Sequence, residues 1–107
     1  MSQTNISTDK PMIRRLVLDI LKPFDPEINI VATELINRCK NSNDVSVNIT
    51  VYEVDKLTTT CKVIIEGTHL DYDEIQEILI SMNCVIHSLD QVVAGSKLVE
   101  DIDTPLD

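Results

Sequence analysis

The sequence predicts an α+β sandwich, a four-stranded antiparallel sheet with two helices on one face. Three observations carry that prediction. Apolar residues alternate with a period of two in four segments. They recur at helical spacing in two others, and the six segments follow one another in the order βαββαβ. A chain of 107 residues suits one domain, at roughly 100–200 residues per domain. It is long enough to bury a core without a metal or a disulfide framework.

The first strand covers residues 13–21, with Leu16, Leu18 and Ile20 on one face and Arg15, Val17, Asp19 and Leu21 on the other. Lys22-Pro23-Phe24-Asp25-Pro26 breaks it, and Asp25 followed by Pro26 reads as an N-cap with proline at the first helical position. Ile28, Val31, Ala32, Leu35 and Cys39 then form the apolar stripe of a helix, closed by Asn41-Ser42-Asn43-Asp44. Residues 45–54 alternate again, with Val47, Ile49 and Val51 on the core face. A turn around Asp55-Lys56 and residues 57–59 returns the chain, so that Cys61, Val63 and Ile65 face the core opposite Lys62, Ile64 and Glu66. Asp71, with Glu74 three residues on, matches a capping box in its Asp form. Ile75, Ile78, Leu79 and Met82 stripe the second helix. The last strand spans about residues 84–93 and stops near Gly95; in it Val85, His87 and Leu89 compete with Ile86 and Ser88 for the inward face.

Sequential pairing and right-handed crossovers assemble these elements as the split-βαβ, ferredoxin-like sandwich with strand order 4-1-3-2 and one open sheet face. The domain is expected over residues 12–95, between a mobile polar arm at 1–11 and an acidic tail at 96–107.

Nine basic against eighteen acidic residues give a net charge of −9. The imbalance sits late: residues 1–60 hold seven basic and eight acidic side chains, residues 61–107 two and ten. Such a surface repels phosphate, so nucleic acid and anionic membrane are not expected as partners, whereas cations are attracted. The same strand order serves RNA-recognition modules, which stack bases on aromatics of the central strands. Here those outward positions hold Val17, Asp19, Lys62 and Ile64. The most apolar stretch, residues 16–21, is interrupted by Asp19 and is far shorter than the roughly 20 residues of a membrane span. With no signal-peptide pattern at the start, the expected compartment is the cytoplasm. Cys39, Cys61 and Cys84 show no Cys-x-x-Cys spacing and fall in apolar patterns, which predicts buried thiols.

Two glycines, Gly67 and Gly95, exclude a glycine-rich phosphate loop. No spacing of nucleophile, base and orienter is legible, so a non-enzymatic role is expected. The acidic group Glu66, Asp71, Asp73, Glu74 and Glu77 fails the EF-hand pattern, since counting from Asp71 puts Gln76 where glycine is needed. Three of its members belong to a helix start, where carboxylates are favoured anyway. Carboxylates on strands or strand ends have no such explanation: Asp19, Glu53, Asp55, Glu66 and Asp90, joined by the imidazole of His87, are the candidate ligands for a divalent cation. The competing structural reading pairs Arg15 with Asp19 and Lys62 with Glu66 across a solvated sheet.

Ile13 to Pro23 (IRRLVLDILKP), Val47-Asn48-Ile49-Thr50 with Glu53 and Asp55, Leu70-Asp71-Tyr72-Asp73-Glu74-Ile75, and Val85-Ile86-His87-Ser88-Leu89-Asp90 with Val92-Val93-Ala94-Gly95 resemble an archaeal family, domain of unknown function 211. The resemblance covers about residues 12–107 and departs from the family at Asn83-Cys84, where a glycine-containing turn is expected. It implies a ferredoxin-like fold, closed homo-oligomers such as rings, and an association with calcium in some members, but no established activity. Self-association also follows from the residues. Ile30 lies roughly 200° from Ile28 and Ile80 about 140° from Ile75 around their helices, and Val17, Leu21 and Ile64 lie on the open face. The expected function is thus a homo-oligomeric domain binding a divalent cation such as calcium on the sheet or between subunits. The alternative is a small-ligand-sensing regulatory module.

Overall fold

A computed structural model describes residues 12–102; the arm expected over 1–11 and residues 103–107 of the tail lie outside the described residues. Strand β1 (Ile13–Pro23), helix α1 (Ile28–Arg38), strands β2 (Ser46–Val54) and β3 (Thr58–Glu66), helix α2 (Tyr72–Ser81) and strand β4 (Val85–Ala94) follow in the expected order. The strands pair antiparallel in the order β2-β3-β1-β4, which is 4-1-3-2 read from the other edge. Among the described residues no helix is long and apolar enough to cross a membrane.

The core lies between one sheet face and the two helices. Leu16, Leu18 and Ile20 of β1 and Cys61, Val63 and Ile65 of β3 meet Val31 and Leu35 of α1 and Ile75, Ile78 and Leu79 of α2. Full burial of each large aliphatic side chain contributes about 1.5–3 kcal/mol. All three cysteines are buried. Burial, helped by the Glu74 carboxylate, pushes the Cys39 thiol up to about 11. Burial also lifts Cys84 to about 11, against the pull of the Lys22 ammonium.

Three local features differ from the sequence expectation. Strand β1 does not stop at Leu21, because Lys22 and Pro23 still pair with Thr59 and Thr58 of β3. Lys22 is on the core side of the strand and buried. Its Nζ donates to the carbonyls of Pro23 at 2.6 Å, Phe24 at 3.3 Å and Pro26 at 2.7 Å. With those carbonyls committed to the lysine, α1 starts later than Asp25-Pro26 suggested. Glu27 is its N-cap, through a backbone carbonyl that accepts from Ile30 and Val31 at 3.0 and 3.1 Å.

At the end of α2, Asn83 does what glycine was expected to do. It adopts φ 63°, while the N–H of Cys84 donates to Leu79 at 3.0 Å and that of Asn83 to Ile80 at 2.9 Å, the two bonds of a Schellman motif. Asparagine tolerates this left-handed conformation because its short amide can bond locally.

The third difference is the phase of β4. Ile86, Leu89 and Val92 lie opposite Ile20, Leu18 and Leu16, whereas Ser88 and Gln91 lie opposite Asp19 and Val17. His87 and Asp90 are extra residues without a partner in β1, and each shifts the register. Ile86 therefore packs on the core as one reading had it, but Ser88 shares the face of Asp19.

Substituting Asn83 by glycine should leave stability unchanged or slightly raised, while valine should cost about 1–2 kcal/mol in urea unfolding. Lys22→Met should cost about 1–3 kcal/mol, because three part-buried loop carbonyls lose their charged donor. The raised thiols give a pH dependence of definite sign. Their stabilising effect is complete below the unfolded value near 8.5 and is lost as pH rises toward the folded value. Scanning thermal denaturation should show the melting temperature declining between about pH 8.5 and 11, and the Cys39→Ala, Cys84→Ala double variant should show a shallower decline.

Candidate functional site on the open sheet face

The strand alternation that buries Leu16, Leu18 and Ile20 against the helices sends Arg15, Asp19, Lys62 and Glu66 to the opposite face. Arg15 lies directly across from Glu66, and its Nε donates to Glu66 Oε2 at 2.7 Å. Its Nη1 donates to Gln91 Oε1 at 3.3 Å. Beyond β4 the chain turns at Gly95, whose φ is +123° and whose N–H donates to the Met12 carbonyl at 2.7 Å. The tail then brings Glu100 onto the same guanidinium, with Nη1 to Oε1 at 3.0 Å and Nη2 to Oε2 at 2.8 Å. Gln91 Nε2 completes the contact by donating to Asp101 Oδ2 at 3.4 Å.

Arg15 is thus a planar fork gripped by two carboxylates, with only 14% of its side chain exposed. The hydrogen bonds that Arg15 donates to Glu100 and then to Glu66 raise its pKa, and the same contact lowers that of Glu100. The expected Arg15–Asp19 and Lys62–Glu66 pairs do not form. Residues four apart on a strand are separated by about 13 Å, whereas partners on adjacent strands stand about 5 Å apart. Register across β1 and β3 decides the pairing.

Beside Arg15 the face holds a shallow recess of about 390 Å³, bordered by Val17, Lys62, Ile64, Asp90 and Gln91. Val17, expected to be exposed, is only 8% accessible, with Ile64 and Gln91 flanking it in register.

The six candidate cation ligands are distributed around this face and its margins. Asp19 is central, opposite Lys62 and Ser88. Glu66 is committed to Arg15. Asp90 borders the recess and accepts from Ser88 Oγ at 2.8 Å. His87, like Asp90, is an exposed extra residue of β4. Glu53 and Asp55 are exposed at the far end of the β2–β3 hairpin, where Asp55 Oδ1 accepts from the Lys56 N–H at 2.7 Å. Among the described residues, no three His, Cys, Asp or Glu side chains of one chain come together as a metal-holding group.

A second concavity, of about 480 Å³, opens where the end of α1 meets the start of α2, with Lys40, His69, Asp71, Tyr72 and Glu74 on its walls. Asp71 caps α2 by accepting from the Glu74 N–H at 3.2 Å, as the capping-box pattern implied. The Glu74 carboxylate does not return to Asp71; it accepts from the Lys40 N–H at 3.1 Å and ties the two helices. Nearby, the Thr68 hydroxyl and its N–H, the latter at 2.8 Å, both donate to Asp44 Oδ2 and lower the Asp44 pKa.

Sequence reasoning missed Glu100, Asp44 and His69 as site-forming residues. The one available signal for Glu100 was the charge imbalance, an acidic tail in a chain whose open face carries arginine. Asp44 was legible only as a helix terminator, since its partner Thr68 lies 24 residues away.

Comparison with known proteins adds lineage. Residues 14–107 match the family DUF211, described as Uncharacterized ArCR. The chain is also 56% identical over 95 residues to an uncharacterized protein, MJ0319, of Methanocaldococcus jannaschii, an alignment covering 89% of this chain and 95% of that protein. With almost the whole described fold inside both matches, the chain belongs to the DUF211 family.

Proposed function

We propose that this chain is a non-enzymatic cytoplasmic module that assembles with copies of itself and holds a divalent cation, calcium by donor chemistry, at carboxylates pooled between subunits. The observation that carries the reading is apolar surface at the rim of the fold. Val85 and Val92 on edge strand β4 are 59% and 48% exposed, and Ile30 and Ile80, the residues off the helical core stripes, are exposed as well. Apolar surface of this kind at an unpaired sheet edge suits protein–protein contact, and symmetric self-association is its commonest form.

The cation reading is supported by what the carboxylates lack. Asp19, Glu53, Asp55 and Asp90 make no ion pair among the described residues. Calcium takes about 6–8 oxygen ligands, which the described residues of one chain do not gather; a second subunit would supply the remainder. Hard oxygen donors favour calcium over zinc, and the thiols that would attract zinc are buried. Nucleic acid is not a partner in this reading, because Arg15 is already neutralised by two carboxylates. The second concavity, with its mixed polar and aromatic walls, favours the alternative of a small-ligand-sensing module.

Light scattering at micromolar protein should give a mass that is a multiple of 12.0 kDa; a monomeric mass would overturn the assembly reading. Millimolar calcium should raise the melting temperature above that in chelator, and Asp19→Asn with Asp90→Asn should remove the difference. A calcium-insensitive melt, together with a shift produced by a metabolite screen, would favour the sensing module.

A further inference from the structure

We propose that Arg15 and Gln91 form a docking site for the C-terminal segment of a second copy of this chain, so that Glu100 and Asp101 are exchanged between neighbours. The proposal rests on the self-association reading and names one contact within it.

The receiving site is built before the tail arrives. Glu66 holds Nε of Arg15 from below at 2.7 Å, which fixes the guanidinium plane and leaves both terminal nitrogens to take the two oxygens of one carboxylate. Gln91 stands alongside to take a second carboxylate. Paired acidic residues on an extended segment are the ligand chemistry this arrangement selects, and Glu100-Asp101 is such a segment.

Within one chain the tail uses the site only in part. Its hydrogen bonds to the open face are those of Glu100 and Asp101, whereas Val99 and Ile102 remain 62% and 83% exposed. No side-chain hydrogen bond is made by residues 96–99 among the described residues. The recess bordered by Val17 and Ile64 lies beside Arg15. A second copy laid against this face would meet an identical Arg15 and Gln91, and would also give the stranded apolar side chains of the tail something to cover.

The hinge permits the exchange. Gly95 has φ +123°, and a Cβ placed there would meet nothing within 4 Å; its N–H stays on the Met12 carbonyl at 2.7 Å, and the chain beyond it turns away without disturbing side-chain packing at this position. From Gly95 to Glu100 the extended chain reaches about 17 Å, enough to leave its own sheet face. Since donor and acceptor groups are the same in both arrangements, exchange gives up no contact, which is the condition under which segment swapping is cheap.

Engineered thiols distinguish the two seats. Gln91→Cys and Asp101→Cys are made in separate full-length chains; the native cysteines are buried and stay out of the reaction. After mixing and mild oxidation, exchange predicts a covalent heterodimer several-fold above the dimer formed by either variant alone, and adding Arg15→Gln to the Gln91→Cys chain should lower that yield several-fold. A chain carrying both cysteines should link into dimers or larger species. If instead it closes on itself as a monomer, or does not close, and the mixture shows no excess, the exchange is overturned. Light scattering of the unmodified chain separates the two ideas: a 12.0 kDa monomer removes self-association itself, whereas an oligomer whose tails close within each chain removes only the exchange.

Discussion

Strand β1 is the constraint on which the rest of the structure depends. It is the one strand paired with both β3 and β4, so its alternation sets the phase of the sheet on either side. Inward it delivers Leu16, Leu18, Ile20 and the buried Lys22; outward it delivers Arg15, Val17 and Asp19. The pairing with β3 is continuous from Arg15–Glu66 to Pro23–Thr58, with no register shift. A slip of one residue would exchange the two sets, placing Arg15 and Asp19 against the helices, a cost no surface contact could offset. The Arg15–Glu66 contact is therefore a consequence of core burial: once the apolar face of β1 is fixed, the arginine and glutamate are opposite each other whether or not their attraction is strong.

That logic also explains which parts of the fold were legible in the sequence. Strands β1 and β3 and both helices have uninterrupted periods, and the residues assigned to their core faces are buried or packed on the core, with Ala32, half-buried at the margin of α1, the exception. Strand β4 was harder because its two extra residues change the spacing of its inward positions. Ile86, Leu89 and Val92, opposite the core residues of β1, follow at intervals of three, which neither a period of two nor a helix of 3.6 describes, and only Ile86 of the three packs on the core while Leu89 and Val92 stay exposed at the edge. Lys22 falls in the Lys22-Pro23-Phe24-Asp25-Pro26 segment that reads as a strand break, and lysine is rarely buried unless paired. Its partners are loop carbonyls whose direction no side-chain pattern reports. Asn83 shows the converse, a residue whose type differs from expectation while its backbone conformation does not.

The candidate site was less legible than the fold, and for a physical reason. Strand alternation identifies which face a side chain occupies, so Arg15, Asp19, Lys62 and Glu66 were correctly placed together. It does not identify partners, because opposite charges on one face have several possible registers. Glu100 meets Arg15 across 85 residues of sequence, through a tail that belongs to no periodic element. Contacts of that kind depend on where a turn such as Gly95 sends the chain.

The edges of the sheet constrain any association further. Both edge strands carry extra residues: Tyr52 on β2, opposite no residue of β3, and His87 and Asp90 on β4. Such bulges twist an edge and interrupt the regular row of backbone donors and acceptors that another strand would need, which is a common protection against open-ended strand addition. Yet β4 also exposes Val85 and Val92. The combination disfavours continuing the sheet through backbone bonds and favours contact through side chains on its face or rim. A side-chain interface has a shape and a symmetry that can close, whereas an unblocked strand edge is a template for indefinite growth. The bulges of β4, which cost the strand its simple period, thereby leave its apolar rim usable for a finite assembly.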